Sequence, residues 1–466
     1  MFYGRETEFK KLEKLYASDK FQCVIIYGRR RVGKTTLISN FCKGKRALLY
    51  SALESTAEEN LKEFSQTINK FFFPDTSARA DYQSFADALE KIAEEAGKSR
   101  IVFVIDEYPY LAKADKSISS RLQHLIDHKF SKTNMFMIIC GSSVSFMENQ
   151  VLGYQSPIYG RRTAQFRLEP LNYRLAAEAY PFLPPEKQVQ VYSVAGGIPH
   201  YLNHLNVGAD GDVDSAVAER VLERDCYLFE EPANLLKQEL REPATYNAII
   251  TAIASGATKL GEIAARTQLE SGLCSKYLNV LISLGLVDKK APTTETAKNK
   301  SIYYLKDNLF RFWYRFVPGN MSLIAANQNA LMYETMVKPH FPDYIGKTFE
   351  DICIQYLLLS IPDLPFIPQE FGAWWGGNPE TKLQEEIDIL VHDGKSAIFG
   401  ECKWTNKQID LAVLKDLQRK AVLFSQFENK YYFLFSKSGF TSGITEAAAN
   451  DASVRLISLD DIYKLR

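Results

Sequence analysis

One segment near the amino terminus constrains the fold of this chain most strongly, because glycines and a lysine recur there at a set spacing. Residues 28–35 read Gly-Arg-Arg-Arg-Val-Gly-Lys-Thr; an apolar run (residues 23–27) precedes them and a helical pattern (residues 36–41) follows. The apolar run predicts a buried parallel strand. Glycines let the backbone gather its N–H groups into a nest, and the start of a helix adds positive potential. We therefore interpret residues 28–35 as a loop that binds phosphate groups.

The residues of this loop have distinct expected roles. Lys34 is expected to reach the β- and γ-phosphates of ATP, and Thr35 to ligate Mg²⁺. The other residues expected to contact ATP or ADP are Gly28, Arg29, Arg30, Arg31, Val32, Gly33 and Thr36. The three arginines either add attraction for phosphate or simply face solvent.

A second apolar run, residues 101–105, predicts another buried strand and ends in Asp106-Glu107. This is the Walker B pattern. Asp106 would hold Mg²⁺ through water, and Glu107 would polarise the attacking water. The alternative is an acidic strand end beside the start of a helix, which is less common after a good phosphate loop.

Two polar segments further along the chain add candidates for the same site. A third apolar strand, residues 135–140, ends in Gly-Ser-Ser, and Ser142 or Ser143 would sense the γ-phosphate. The alternative is a turn in which a serine caps the next helix. Arg161 and Arg162 would stabilise transition-state charge, either in cis or in trans from a neighbouring subunit. The alternative for both arginines is a surface ion pair.

Two further segments, residues 2–6 (Phe-Tyr-Gly-Arg-Glu) and residues 196–199 (Gly-Gly-Ile-Pro), complete this set of motifs. The set resembles the prokaryotic ATPases of the AAA+/STAND group, and the resemblance covers about the first half of the chain. It implies that Gly4 and Arg5 lie by the adenine. It also implies a helical lid in which Pro199 lies near the adenine base of the nucleotide.

The middle of the chain has the pattern of a winged helix-turn-helix. Three helical segments precede two short candidate strands, at residues 287–290 and 301–305. Residues of the third helix able to meet DNA are Ser275, Lys276, Tyr277 and Asn279. The loop between the strands is polar and basic, with Thr293, Thr294, Lys298, Asn299 and Lys300. The interpretations are DNA contact, or a packing module that reports the nucleotide state.

The last part of the chain places an acid pair and a lysine on a predicted hairpin. Asp388 lies in one strand, and Glu401 and Lys403 lie two residues apart on the same face of the next. This set predicts a Mg²⁺ site with a charge partner for a scissile phosphate. It resembles the PD-(D/E)xK nuclease fold, which implies that Glu350 is the upstream acid and, more weakly, that Gln418 contributes. The alternative is a nuclease-like scaffold that only binds DNA or protein.

Composition limits the remaining possibilities. Lys plus Arg equals Asp plus Glu at 56 each, so overall charge favours neither nucleic acid nor an anionic membrane. The seven cysteines are scattered without a C-x-x-C pair, which fits reduced thiols in a cytoplasmic protein. We see no signal peptide and no apolar run near the ~18 residues of a membrane span.

We therefore predict an α/β multidomain protein. Its expected parts are a parallel-sheet P-loop ATPase core (1–170), a helical lid (171–240), a winged helix-turn-helix (241–312), a helical linker (313–342) and a restriction-endonuclease-like α/β domain (343–466). The leading hypothesis is a DNA-acting ATPase whose nucleotide state controls a Mg²⁺-dependent nuclease. The alternative is a nucleotide-dependent switch whose tail binds a partner without cleaving nucleic acid. Self-association or a protein partner fits either hypothesis, and we expect no membrane partner.

Overall fold

The computed structural model describes residues 2–74, 81–293, 301–378 and 382–464. It divides into two compact units. The first comprises residues up to Pro170 together with Ile198–His200, and the second comprises Leu171–Gly197 together with the residues from Tyr201 onward.

The first unit is built on a five-stranded sheet. Its strands are β1 (Gln22–Tyr27), β2 (Ala47–Ser51), β3 (Val102–Asp106), β4 (Phe136–Gly141) and β5 (Ala164–Arg167). The spatial order is β2-β3-β4-β1-β5, and every pairing is parallel. All residues of β1 and β4 are buried, as expected for central strands of a parallel sheet. Because the strands are parallel, the segments that follow β1, β3 and β4 meet at one edge.

Helices cover this sheet. They are α1 (Glu6–Ala17), α2 (Lys34–Cys42), α3 (Ala57–Phe72), α4 (Phe85–Lys98), α5 (Tyr108–Ala114), α6 (Ile118–His128) and the short α7 (Val144–Phe146). Thr56 and Ser84 start α3 and α4, and their side-chain oxygens accept hydrogen bonds from backbone N–H groups of the first turn. The apolar faces of both helices pack into the core of the sheet.

The second unit begins with helices and a short ladder. The helices are α8 (Tyr173–Ala177), α9 (Pro185–Ala195), α10 (Pro199–Leu205, which starts in the first unit), α11 (Val213–Arg220), α12 (Tyr227–Glu239), α13 (Pro243–Ala254), α14 (Leu260–Thr267) and α15 (Ser271–Ser283). The antiparallel strands β6 (Val287–Lys290) and β7 (Ile302–Leu305) follow. Three helices and a ladder thus follow in the predicted order. Thr294, Lys298, Asn299 and Lys300 of the predicted basic loop lie outside the described residues.

A second five-stranded sheet completes this unit. The elements are α16 (Asn308–Phe316), α17 (Met321–Ala325), α18 (Asn329–Met332), α19 (Phe341–Leu359), β8 (Glu370–Gly377), β9 (Gln384–His392), β10 (Ser396–Lys403), α20 (Leu411–Ala421), β11 (Asn429–Ser436), α21 (Ser442–Asn450), β12 (Val454–Ser458) and α22 (Leu459–Tyr463). The order is β12-β11-β10-β9-β8, antiparallel from β8 to β10 and parallel from β10 to β12.

The helices predicted to form a lid are not a separate compact unit. Apart from Ile198–His200, its residues belong to the same compact unit as the C-terminal sheet. The reason lies in contacts that sequence periodicity does not reveal. The Tyr173 hydroxyl donates to the Ile462 carbonyl at 2.9 Å, and Lys437 forms a 2.6 Å ion pair with Glu186.

Candidate nucleotide-binding site

The loop after β1 has the backbone that its glycines predict. Gly28 has φ 152°, and Gly33, just before α2, has φ 92°. A Cβ on Gly28 would lie 2.3 Å from the carbonyl oxygen of Leu168, so no other residue fits there. Arg31 also adopts positive φ, at 74°. The backbone therefore turns as a phosphate nest requires.

Lys34 lies at the start of α2 and is buried. Its Nζ donates to the carbonyl oxygens of Gly28 and Arg29, each at 3.0 Å. Burial lowers the pKa of Lys34, because the charged amine gives up water for a few protein dipoles. The ammonium group is thus held inside the loop, where an incoming phosphate would gain from its charge.

Thr35 and Asp106 come together although they lie far apart in sequence. The Thr35 hydroxyl lies 3.3 Å from Oδ2 of Asp106, because β3 ends beside the start of α2. A hydroxyl and a carboxylate are hard oxygen donors of the kind that Mg²⁺ takes beside phosphates and water. The donor set therefore fits a Mg²⁺–nucleotide complex.

Glu107 and Ser142 are joined by hydrogen bonds at the carboxyl edge. The Ser142 hydroxyl donates to Oε2 of Glu107 at 2.8 Å, and the Ser142 N–H donates to the same atom at 3.3 Å. Glu107 itself adopts a left-handed conformation with φ 50°. Ser143 precedes α7 without a side-chain capping bond. Of the two predicted sensor serines, Ser142 is thus the one in contact with the predicted water-polarising acid.

The amino-terminal motif lies against the loop. The buried Arg5 donates through Nη2 to the carbonyl oxygens of Val32, at 2.9 Å, and Glu169, at 2.6 Å. Arg5 therefore braces the loop backbone. Gly4, at φ 68°, permits the turn that leads into α1. Glu169 had no signal in the sequence, since it contributes only its backbone.

Pro199 lies on the other side of the loop. Its Cγ is 3.9 Å from the position that a Cβ on Gly33 would take, and its carbonyl accepts from the Tyr3 hydroxyl at 3.3 Å. Pro199 is thus a neighbour of the loop, and its expected place near the adenine base stays a prediction.

Arg161 and Arg162 lie at the opposite edge of the sheet. They precede β5, whose parallel pairing with β1 starts at Ala164. A six-residue strand spans about 20 Å, so this edge is far from the loop that follows β1. Arg161 forms a two-pronged ion pair with Asp127, at 2.7 and 2.8 Å, and Arg162 lies over the ring of Tyr159. Arg161 thus forms the surface ion pair given above as the alternative, and a role of either arginine at the γ-phosphate stays a prediction.

The loop arginines are not simply solvent-facing. Nη2 of Arg30 donates to the hydroxyl of Tyr110 at 2.6 Å, and Tyr110 lies in the first turn of α5, just after Glu107. Sequence reasoning missed Tyr110. Its only signal was its place three residues after the Walker B glutamate.

The C-terminal sheet brings Asp388 beside Glu401. The register of β9 and β10 pairs Ile389 with Gly400, and Asp388 and Glu401 are the next two residues along these antiparallel strands. Oδ2 of Asp388 accepts from the Cys402 N–H at 2.9 Å, and Lys403 Nζ lies 2.5 Å from Oε1 of Glu401. Burial raises the pKa of Asp388 to about 7, and the charges of Glu401 and Glu350 add to the rise.

Two of the predicted metal ligands, Glu350 and Glu401, form ion pairs with lysines in this structure. Lys347 Nζ lies 2.6 Å from Oε2 of Glu350, and Lys420 Nζ lies 3.7 Å from Oε2 of Glu401. Among the described residues, no three His, Cys, Asp or Glu side chains converge as metal ligands would. The metal site expected at Glu350, Asp388 and Glu401 therefore stays a prediction. Neither Lys347 nor Lys420 was among the predicted site residues. Lys420 lies two residues after Gln418, which was predicted.

Two of the four polar residues expected to meet DNA are exposed on the predicted recognition helix, α15. The Tyr277 hydroxyl donates to Glu242 at 2.6 Å, whereas Lys276 and Asn279 are exposed. Within the described parts of the chain, no helix combines the length and apolar character that crossing a membrane requires.

Comparison with known proteins supports the interpretation of the first unit as an ATPase domain. A sequence model of an ATPase domain found predominantly in Archaea matches residues 2–205, and a model of archaeal and bacterial proteins of unknown function matches residues 313–422. The Walker-type ATPase paby2304 of Pyrococcus abyssi is 21% identical, with a TM-score of 0.52 over 67% of this chain and 96% of that one. The chain thus has a P-loop ATPase domain, and a separate C-terminal sheet domain.

Two curated relatives from Methanocaldococcus jannaschii are also similar. The uncharacterized protein MJECL04 is 33% identical over 445 residues, which cover 94% of this chain and 96% of the relative. The uncharacterized ATP-binding protein MJ0423 is 46% identical over 46 residues, which cover 10% of this chain and 78% of the relative. The chain belongs to the same family as MJECL04.

Proposed function

We propose that this chain is an ATP-hydrolysing switch whose nucleotide state controls its C-terminal domain. The observation that carries the proposal is the meeting of Lys34, the Thr35–Asp106 pair and the Ser142–Glu107 pair at one edge of a parallel sheet. Lys34 would bind the β- and γ-phosphates, and Thr35 and Asp106 would hold Mg²⁺. The metal ion would neutralise charge that develops on the phosphates.

Glu107 and Ser142 would supply the chemistry of hydrolysis and its link to conformation. Glu107 would orient the attacking water by accepting a hydrogen bond from it. In this structure the Ser142 hydroxyl donates a hydrogen bond to Glu107 at 2.8 Å. A γ-phosphate oxygen would compete for that hydroxyl and leave Glu107 free to bind water. Arrival of ATP would thereby reorganise the edge of the sheet.

The test is phosphate release from ATP by the whole chain. We expect turnover in Mg²⁺, loss of turnover when EDTA removes the metal, and recovery when Mg²⁺ is added back. The physical reason is that Thr35 and Asp106 offer only two protein ligands, so metal and nucleotide would bind together. No release of phosphate in either Mg²⁺ or Mn²⁺ would contradict the proposal.

Control of the C-terminal domain is supported by the packing of α9 on α19. The Tyr344 hydroxyl of α19 donates to the Ser193 carbonyl of α9 at 2.9 Å, and Gln355 Nε2 donates to the Tyr192 hydroxyl at 3.3 Å. The chain leaves α9 through two glycines and reaches Pro199. A shift of Pro199 on nucleotide binding would therefore pull on α9, and α9 on α19.

Two charged residues of α19 indicate what such a shift would change. Helix α19 carries Lys347 and Glu350, whose side chains lie 2.6 Å apart. The charge of Glu350 acts on Asp388. Movement of α19 would thus alter the spacing and the lysine pairing of the carboxylate cluster. This is the route by which the nucleotide state would reach the second sheet.

A second candidate function is Mg²⁺-dependent cleavage of nucleic acid, with DNA as the partner. It is favoured by Asp388 and Glu401 on neighbouring strands, with Lys403 beside them. Cleavage would require Mg²⁺ to displace Lys403 and Lys420 from Glu401, which frees both lysines for the scissile phosphate. If the cluster keeps its lysines, the domain instead serves to bind a partner, which includes a protein or another copy of this chain.

Replacing Asp388 by asparagine separates these outcomes. The amide keeps the acceptor for the Cys402 N–H and removes the charge that a metal would need. We expect Asp388→Asn to lower Mg²⁺-dependent cleavage of DNA by at least about a hundredfold. Glu428→Ala, an exposed acid next to β11, is the matched control. Wild-type protein that cleaves neither DNA nor RNA with any metal and nucleotide would remove the nuclease candidate and leave the switch.

A further inference from the structure

We propose that Arg30, inside the phosphate loop, is the cation that stabilises the transition state of ATP hydrolysis, and that Tyr110 positions it. This inference rests on the ATPase function proposed above. It gives the site its own arginine, so that no second subunit is needed to complete it.

The placement of Arg30 follows from two hydrogen bonds. Nη2 of Arg30 donates to the Tyr110 hydroxyl at 2.6 Å, and the Tyr110 N–H donates to the Glu107 carbonyl at 2.9 Å. The guanidinium is therefore held on the side of the loop that faces the turn bearing Glu107. Both Arg30 and Tyr110 are partly buried. An arginine tied in this way enters the reaction with little rotamer freedom left to lose.

The chemistry of the site leaves a role for such a group. Backbone N–H groups and Lys34 neutralise the ground-state phosphates, whereas charge on the γ-phosphoryl oxygens spreads in the transition state. A guanidinium meets two oxygens at once with its planar fork, which an ammonium does not. Arg161 is committed to Asp127 at the opposite edge of the sheet. Arg30, by contrast, is tied to the Walker B turn through Tyr110.

The competing explanation is that the Arg30–Tyr110 bond only stiffens the loop. A stiffening role predicts that loss of either side chain weakens ATP binding and turnover together. A transition-state role predicts that turnover falls while the affinity for ATP is kept. It also predicts unequal effects, because Tyr110 acts only through Arg30.

The experiment compares Arg30→Ala, Tyr110→Phe and the exposed-surface control Arg121→Ala, each in the full chain. For Arg30→Ala we expect kcat to fall by about 10²–10³-fold, with ATP and ADP affinities within about threefold of wild type. The complex with Mg²⁺, ADP and aluminium fluoride, which imitates the transferring phosphoryl group, should no longer form. Tyr110→Phe should lower kcat by about three- to tenfold and leave KM nearly unchanged.

Other results would overturn the inference. Turnover by Arg30→Ala equal to that of Arg121→Ala, or an intact aluminium fluoride complex, would exclude the transition-state role. Parallel losses of ATP affinity and turnover would assign Arg30 to loop stiffness instead. Turnover per chain that rises with protein concentration and disappears in Arg161→Ala would place the arginine in trans. Wild-type protein that binds ATP without hydrolysing it would refute the proposed ATPase together with this inference.

Discussion

Lys34→Ala is expected to weaken ATP binding by at least about a hundredfold, which corresponds to about 2.7 kcal/mol. The ammonium group is buried at the start of α2 and is hydrogen-bonded to two loop carbonyls. Phosphate oxygens would replace these two carbonyl oxygens as acceptors and would form stronger, charge-assisted hydrogen bonds with the ammonium group. Alanine removes the ammonium group that would bind the β- and γ-phosphates, and the rest of the loop would have to hold them without it.

Calorimetric titration with ATP and ADP measures this effect. Lys43→Ala is the matched control, because Lys43 follows the other end of the same helix and is exposed. We expect the control to bind like wild type, and circular dichroism to show that both variants fold. Full ATP affinity in Lys34→Ala would contradict the assignment of residues 28–35 and, with it, the proposed switch.

A second large effect is expected when ATP is held without hydrolysis. Glu107→Gln keeps an acceptor for the Ser142 hydroxyl but loses the carboxylate that would orient water. We expect its hydrolysis rate to fall by about 10²–10⁴-fold while ATP still binds. In this trapped state the second unit should differ from its ADP state, because α9 is continuous in sequence with Pro199 and packs on α19.

Much of the first unit could be predicted, because its strands are continuous apolar runs and its polar residues follow them. A parallel sheet then requires those polar residues to meet at one edge. The contact of Thr35 with Asp106, across 71 positions of sequence, follows from that geometry alone. The same logic placed Ser142 near Glu107.

What could not be predicted depends on long-range contacts that leave no local pattern. The place of Arg161 follows from the parallel register of β5, which spacing does not reveal. Lys420 and Tyr110 act through side chains that reach across elements, and neither belongs to a motif. The grouping of the lid with the C-terminal sheet likewise depends on single contacts such as Tyr344 with Ser193. Motifs therefore predicted candidate site residues, whereas packing determines which side chains and elements contact them.

Hydrogen–deuterium exchange of Glu107→Gln, with ATP and with ADP, tests the central claim most directly. The segment to follow is Phe341–Leu359, with Ser442–Asn450 as an internal reference from the same unit. We predict that exchange across Phe341–Leu359 differs between the two nucleotides, that the reference does not change, and that Lys34→Ala shows no difference at either segment. Identical exchange in the ATP and ADP states, with both nucleotides shown to be bound, would contradict the claim that nucleotide state reaches the C-terminal domain.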